Sequence, residues 1–198
     1  MPPKNPYKKA DSFTIAAKAQ GYPARSVFKL EEIDRRTRLF RGGQRVLDLG
    51  AAPGSWAKFA AQRVGSGGRV LAIDLSEITA VMPPNVEHLQ GDVFALGDEV
   101  LGRAGPYDVV ISDMAPSTTG TRFADQARSF ELLMRAVEVA ERMLKPGGSF
   151  VGKIFMSDDL PKAKERVRKL FNEVRMLRPE ATRAQSYELF LVGLGRKA

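Results

Sequence analysis

Residues 45–56 read RVLDLGAAPGSW, an apolar run that turns through small residues toward a second apolar stretch. The first part is typical of a buried strand, and the glycines, alanines and proline after it predict a strand-to-helix turn. Small residues at such a turn let a ligand approach the backbone closely. The glycine spacing does not match G-x-G-x-x-G, which argues against a dinucleotide oxidoreductase.

Short apolar runs alternate with helix-length stretches over the rest of the chain. The pattern predicts strands near 45–49, 69–74, 86–89, 107–112, 149–155, 171–177 and 187–194. It predicts helices over 11–20, 26–38, 55–64, 124–144 and 160–171. Ser26 is expected to cap the second helix, and Pro146-Gly147-Gly148 to end the long one.

The alternation of strands and helices indicates an α/β fold. We expect a mostly parallel sheet with helices on both faces. No repeat or linker divides the chain, so residues 1–198 are expected to form a single domain.

Positive charge is concentrated near the N-terminus. The formal net charge is +8, and residues 1–45 hold eleven Lys and Arg against four Asp and Glu. We expect residues 1–9 to be a flexible basic tail and residues 10–41 to be a basic helical segment that contacts RNA. RNA attracts such a segment because neutralised phosphates release their counterions. A solubilising surface is the alternative.

The sequence contains no cysteine. A disulfide, a thiolate zinc site and a catalytic thiol are therefore excluded, and a reducing cytoplasm is the expected location. No apolar run approaches the roughly 20 residues needed to cross a bilayer, so no membrane association is expected. We also expect no metal site and a monomeric protein.

Three acids end or follow three successive predicted strands: Asp48, Asp74 and Asp92. The carboxyl ends of parallel strands meet at one edge of a sheet, where this cluster would repel a diphosphate and attract a sulfonium nucleoside with an ammonium group. Asp74 could accept hydrogen bonds from ribose hydroxyls, and Asp92 from an adenine amino group. The alternative is that all three are ordinary turn aspartates.

Residues 112–116, SDMAP, follow the fourth predicted strand. Methylases that act on amino nitrogens usually carry Asn/Asp-Pro-Pro-Tyr/Phe at this place, and enzymes that methylate the pyrimidine 5-carbon need a cysteine. This sequence has neither. An oxygen atom remains as the methyl acceptor.

A lysine inside the apolar run 149–155, Lys153, is costly to desolvate unless it is paired or neutral. In a methyltransferase sheet the last strand is antiparallel, which would place Glu188 near Lys153 with Asp113 across from it. A neutral lysine held in this way can remove a hydroxyl proton, and Lys29 is a candidate for the second cation that would favour neutrality. A structural ion pair, with Lys29 simply solvated, is the alternative.

Together these motifs resemble the FtsJ/RrmJ family of ribose 2′-O-methyltransferases, in its short bacterial form that acts on large-subunit rRNA. The resemblance extends from about Ser12 to the C-terminus and rests on residues 25–33, 48–56, 89–92, 112–116 and 146–155. The family's Lys-Asp-Lys-Glu tetrad falls on Lys29, Asp113, Lys153 and Glu188, with Lys153 as the catalytic lysine. Its cofactor contacts fall on Gly54, Trp56, Asp74, Asp92 and Asp113, and Asp48 and Gly50 belong to the same pocket.

The resemblance implies a single Rossmann-like class I methyltransferase domain with a seven-stranded sheet, an antiparallel last strand and S-adenosylmethionine as cofactor. It implies methylation of a uridine in the A-loop of 23S rRNA on assembled 50S subunits. Other members of the wider family act on tRNA or on mRNA caps, and the tetrad does not separate these substrates.

Two departures from the family pattern concern the pocket and the substrate loop. Ser55 replaces the usual second glycine before Trp56 and is expected to narrow the methionine end of the pocket; residues 117–120, STTG, replace Asn-Met-Ser-Gly. Two rival functions are a small-molecule O-methyltransferase and a ribosome-assembly factor that binds RNA without chemistry. The basic N-terminal segment argues against the first, and the intact tetrad argues against both.

Overall fold

The computed structural model of the protein describes residues 12–117 and 119–198, so the predicted tail at residues 1–9 lies outside the described residues. The strands are β1 (Arg45–Leu49), β2 (Arg69–Asp74), β3 (Val86–Gln90), β4 (Tyr107–Ser112), β5 (Leu144–Phe155), β6 (Phe171–Leu177) and β7 (Glu188–Arg196). The helices are α1 (Ser12–Ala19), α2 (Val27–Thr37), α3 (Ser55–Val64), α4 (Asp98–Leu101), α5 (Arg122–Met143) and α6 (Leu160–Leu170).

All seven strands belong to one sheet with the order β3-β2-β1-β4-β5-β7-β6. The five strands from β3 to β5 are parallel neighbours, whereas β7 is antiparallel to both β5 and β6. The predicted mostly parallel seven-stranded sheet with an antiparallel last strand is therefore confirmed. We call the side on which the parallel strands end, at Leu49, Asp74, Gln90, Ser112 and Phe155, the carboxyl edge, and the opposite side the amino edge.

Side chains alternate across the strands and divide the core into two layers. Val46 and Val109 pack on the face that α1, α2 and α3 cover, where Leu30 of α2 is fully buried. Leu47 and Val110, their neighbours in sequence, pack on the face covered by α4, α5 and α6. Strands buried on both faces are apolar almost throughout, which explains the continuous runs in the sequence.

Most element boundaries agree with the sequence-based expectations, and three features differ. The short helix α4 was not predicted. Ser26 precedes α2 but makes no side-chain capping bond, because its backbone is already helical, at φ −58° and ψ −21°. Pro146-Gly147-Gly148 does not end the long helix, which stops at Met143; these residues lie inside β5, where the pairing register with β4 shifts between Tyr107 and Val109.

Residues that follow the parallel strands are gathered at the carboxyl edge, together with the start of β7. The basic helix α2 joins the two edges, since Lys29 near its beginning contacts β7 at the carboxyl edge. Arg38, just after its end, lines a cleft at the amino edge with Lys145 of β5. Within the described residues, no helix is long and apolar enough to cross a membrane.

Candidate active site at the carboxyl edge

A cleft of about 400 Å³ opens at the carboxyl edge between the ends of β1, β2, β3 and β4. Its walls are formed by Gly50, Ala52, Asp74, Leu75, Gly91, Asp92, Val93, Phe94, Asp113, Met114, Ala115 and Leu132. Gly50 has a φ of +77°, and a Cβ atom there would lie 2.6 Å from Cγ of Met114. Only glycine fits both the conformation and the space, so Gly50 lets the loop after β4 lie directly against the turn after β1 and close this side of the cleft.

The two acids that follow β2 and β3 are fixed by backbone amides. Asp74 accepts hydrogen bonds from the amide of Ala52 at 2.9 Å and from the amide of Ser76 at 2.8 Å, one on each oxygen. Asp92 accepts from the amide of Phe94 at 2.9 Å. Each carboxylate oxygen has a second lone pair, so both acids can still accept hydrogen bonds from a ligand in the cleft.

Asp48, which the sequence grouped with these acids, lies away from the cleft wall. Its side chain is fully buried beneath the start of α3, and neither carboxylate oxygen has a hydrogen-bond partner among the described residues. Burial raises the pKa of Asp48 well above its ordinary value, the charges of Asp113 and Asp74 raise it further, and only the amide of Ala57 acts in the opposite direction. Asp48 is therefore a buried acid behind the cleft, with a pKa well above that of an exposed aspartate.

The turn that leads into α3 contacts the segment before α2. Ser55 is buried, and its hydroxyl accepts from the amide of Ala24 at 2.8 Å and donates to the carbonyl of Ala24 at 3.2 Å. The indole of Trp56 donates to the carbonyl of Ser26 at 2.9 Å. Gly54, at a φ of +107°, is packed against Met82. None of these three residues lines the cleft, and the expected effect of Ser55 on the methionine end of the pocket stays a prediction.

Lys153 lies on the face of β5 that α2 and α3 cover, and it is only 7% exposed. Its ammonium group donates to the backbone carbonyl of Asp113 at 2.6 Å and to the Asp113 carboxylate at 2.9 Å. Since Asp113 also lines the cleft, these contacts place the lysine next to the ligand space.

The pairing of the second acid differs from the expectation. In the β5–β7 register Lys153 lies opposite Phe190, and Glu188 lies opposite Phe155, so Glu188 is diagonal to the lysine. Glu188 forms its ion pair with Lys29 of α2, and both side chains are nearly buried. The site thus contains two ion pairs on one face of the sheet, where the sequence suggested one lysine between two carboxylates.

Phe190 lies at the centre of this arrangement. The ammonium group of Lys29 is 6.0 Å from the centroid of its ring, and the ring of Trp56 is 5.7 Å away on a tilted plane. Lys153 is the strand partner of the same residue. The apolar ring keeps water away from the charged groups while holding them together, which strengthens their mutual electrostatic interactions.

Several residues at this edge were missed by the sequence analysis. Leu75, Phe94 and Met114 form apolar walls of the cleft. Leu75 and Phe94 lie in loops without a motif, and Met114 lies in the SDMAP motif but was given no role. Asp125 of α5 is buried and accepts from both the amide and the hydroxyl of Thr119 at 2.9 Å, which fixes the loop after β4. An acid in the first turn of a helix was the only available signal.

Known proteins resemble the chain over nearly its whole length. The model of the family described as FtsJ-like methyltransferase matches residues 22–196. A protein of Sorangium cellulosum named ribosomal RNA large subunit methyltransferase E is 67% identical over 196 residues, covering 99% of this chain and 92% of its own length. A protein of the same name from Nitratidesulfovibrio vulgaris is 52% identical over 191 residues, covering 95% of this chain and 94% of its own length.

Solved structures resemble the fold at lower identity. A crystal structure from Plasmodium falciparum, described as that of a ribosomal RNA methyltransferase, has a TM-score of 0.77 at 22% identity and covers 88% of this chain and 98% of its own. The structure of a protein from Lactococcus lactis described as a hemolysin has a TM-score of 0.68 at 16% identity, covering 90% and 89%. At these identities the likeness concerns the fold alone.

Proposed function

Because this chain belongs to the FtsJ-like methyltransferase family, we propose that it transfers a methyl group from S-adenosylmethionine to a ribose 2′-hydroxyl of large-subunit ribosomal RNA. The observation that carries the choice of acceptor is Lys153, a nearly buried lysine bonded to an acid of the ligand cleft. The names of the most similar curated relatives support the RNA substrate. The target is a uridine in the A-loop of 23S rRNA on assembled 50S subunits, reached by a monomer in the cytoplasm.

The cleft fits a sulfonium nucleoside. Gly50 lines the cleft with its backbone, Asp74 and Asp92 offer lone pairs for ribose and adenine groups, and Asp113 supplies negative charge near the reacting end. The Leu75 side chain lies beside these acids and offers an apolar surface for the adenine ring. When bound, the cofactor supplies an activated methyl group carried on positively charged sulfur.

Lys153 prepares the acceptor. A ribose hydroxyl is a weak nucleophile, and loss of its proton makes the oxygen reactive. In its deprotonated form the Nζ atom of Lys153 accepts this proton, while the Asp113 carbonyl and carboxylate hold that atom in place. Removal of a proton by a positioned base contributes about a hundred- to ten-thousandfold to a rate.

Lys29 and Glu188 support this step without the same contacts. Their ion pair lies over Phe190, the strand neighbour of Lys153, so it adds one positive and one negative charge next to the catalytic lysine. We assign Lys29 and Glu188 to the orientation of the hydroxyl and to this electrostatic balance.

Basic residues beside the site suit an RNA strand. Burial and, to a smaller extent, the charge of Arg183 lower the pKa of Arg25, whereas the charge of Glu188 raises it. These interactions indicate that two arginines stand close to the tetrad. The N-terminal segment adds Lys18, Arg35 and Arg36 on the same side of the sheet, so we assign residues 10–41 to RNA contact.

A labelled methyl donor tests the proposal directly. The protein is incubated with the donor and, separately, with large subunits, with protein-free rRNA, with bulk tRNA and with small catechol-type acceptors, and the label is mapped. The proposal requires label on one ribose, which then resists alkaline cleavage at the next phosphodiester. Label on a base, on tRNA alone or on a small acceptor contradicts it, and tight RNA binding without any transfer would favour the assembly factor.

A further inference from the structure

A series of contacting side chains, Phe155, Tyr187 and Arg122, leads from the tetrad to the protein surface; we call it the stack, although its two rings meet edge to face. Tyr187 directly precedes Glu188, and its ring meets the ring of Phe155 at 4.8 Å between centroids and an angle of 66°. Phe155 is the strand partner of Glu188 and stands two residues after Lys153. On Tyr187 the guanidinium carbon of Arg122 lies 5.0 Å from the ring centroid. The stack therefore ends in an exposed arginine beside the reacting groups.

Backbone contacts hold this stack in place. The amide of Met156 donates to the carbonyl of Tyr187 at 2.8 Å, and the side-chain amide of Gln126 donates to the carbonyl of Met156 at 2.5 Å. The first turn of α5 is thereby attached to the ends of β5 and β7. Among the described residues Arg122 has no ion-pair partner, so its charge is available to an anion.

Phe123 follows Arg122 and is 81% exposed, against 54% for Phe94 in the cleft. Met156, on the other side of the stack, is also exposed. A single exposed apolar side chain needs no explanation. Here, however, the exposed Phe123 directly follows Arg122 at the start of α5, at the edge where the substrate must bind. Aromatic rings and guanidinium groups are the two kinds of group on which unpaired nucleic-acid bases stack.

We propose that Arg122 and Phe123 form a stacking platform for an unpaired base of the RNA segment that carries the target ribose. This inference rests on the proposed RNA substrate. The guanidinium of Arg122 lies over the Tyr187 ring, so a base that stacks on the guanidinium would lie next to the tetrad, with the positive charge near the phosphates of the same strand. Phe123 offers a second apolar face to the same segment.

Stacking on such a platform is tolerant of base identity, because every base has a flat face. The platform therefore contributes affinity and holds the ribose toward Lys153 without selecting uridine. A protein partner fits less well, since the chain carries a net charge of +8 and the exposed arginine stands beside the ring. Polyanionic RNA matches both features.

Phe123 variants provide the test. Phe123→Ala and Phe123→Leu both remove the aromatic ring, and Phe123→Leu keeps the apolar bulk. Phe123→Tyr keeps the ring. Met176→Ala is the matched control, because Met176 is an exposed apolar residue on the edge strand β6. For each variant we measure KM and kcat with large subunits and with an unstructured rRNA fragment, and the affinity for S-adenosylmethionine by calorimetry.

We expect Phe123→Ala and Phe123→Leu to raise the KM for RNA about ten- to a hundredfold, the usual effect of losing one stacked base. Phe123→Tyr should restore KM to within a few fold, and cofactor affinity and the Met176→Ala variant should be unchanged. Equal KM values for Phe123→Leu and the wild type would overturn the stacking proposal. So would an effect seen with large subunits but absent with the RNA fragment, since the partner would then be a protein.

The measurements on the wild-type protein distinguish a failure of this inference from a failure of the proposed function on which it rests. If the unmodified protein methylates no ribose in either RNA, the proposed function fails whatever the variants do. If it does so and Phe123→Ala behaves as the wild type, only the platform is wrong. Arg122→Gln, which removes the cation and the guanidinium, gives an independent second measurement and is expected to lower RNA affinity in the same assays.

Discussion

Replacement of Lys153 by methionine is the sharpest test of the active site. Lys153→Met keeps the length and bulk of a side chain that is only 7% exposed, so it leaves no cavity. It removes the proton acceptor and two hydrogen bonds to Asp113, at 2.6 and 2.9 Å. We expect methyl transfer to fall about a hundred- to ten-thousandfold, the range for a positioned general base. That corresponds to roughly 3–5 kcal/mol of activation free energy.

The structural cost of the same change is smaller. Without Lys153 the carboxylate of Asp113 loses its partner, but its side chain is 18% exposed and lines the open cleft, so water can solvate it. We expect the free energy of unfolding to fall by about 1–3 kcal/mol, the cost of a hydrogen-bonding group left without its partner. The variant should therefore remain folded and should still bind S-adenosylmethionine.

Lys145→Met is the matched control. Lys145 belongs to the same strand and pairs with Asp108 at 2.8 Å, but at the amino edge of the sheet. It should lose little activity. The assay is single-turnover transfer of labelled methyl groups at saturating RNA, with unfolding by denaturant and cofactor affinity measured in parallel. A Lys153→Met rate within about threefold of the wild type would refute the assigned role.

Four further predictions concern the cofactor, the buried acid, the basic segment and Lys29. Asp74→Ala should weaken S-adenosylmethionine binding by about 1–3 kcal/mol in calorimetry, because hydrogen bonds to a charged group are lost; unchanged affinity would make Asp74 a turn residue only. Because the pKa of Asp48 is raised by burial, the folded chain holds this proton above the pH at which the unfolded chain releases it. The wild type should therefore lose stability as the pH rises from about 4 toward the pKa of Asp48 in the folded protein, whereas Asp48→Asn should not. Over that window the gap between the two proteins, measured as the difference in their free energies of unfolding, should widen by about 1.4 kcal/mol per pH unit. A gap that is constant in denaturant titrations from pH 4 to 8 would mean that Asp48 is charged in the folded protein. Charge reversal at Lys18, Arg35 and Arg36 should weaken RNA binding and flatten its salt dependence. The control Lys162→Glu, on the other face of the sheet, should do neither. If the charge-reversal variants and the wild type show equal salt slopes, the segment is a solubilising surface. Lys29→Met should instead lower the rate at saturating RNA, since Lys29 pairs with Glu188 inside the site.

Local sequence signals were enough to predict the sheet and the positions of the acids that follow its strands. The continuous apolar runs and the glycine turn at residues 49–54 are local signals, and β1, β2, β4 and β6 begin and end where these signals place them. Asp74 and Asp92 could be assigned to one edge because parallel strands end on the same side. The expectation that Pro146-Gly147-Gly148 ends the long helix was wrong, because residues that interrupt regular structure can end a helix or bend a strand equally well.

The tertiary structure alone decided which charges meet. Lys153 and Asp113 are 40 residues apart in the chain, and their bond depends on the β4–β5 register and on the loop after β4. Because of the antiparallel register, Glu188 lies diagonal to Lys153 and forms its ion pair with Lys29. Lys29 is a residue of α2, and its position depends on how that helix packs. Asp48 shows the same limit: it pairs with Ala72, two residues before Asp74 in the register, so it lies inside the sheet beneath α3 and not at the carboxyl edge. Local sequence fixes where a strand ends, whereas the partner of a side chain is fixed by contacts between distant segments.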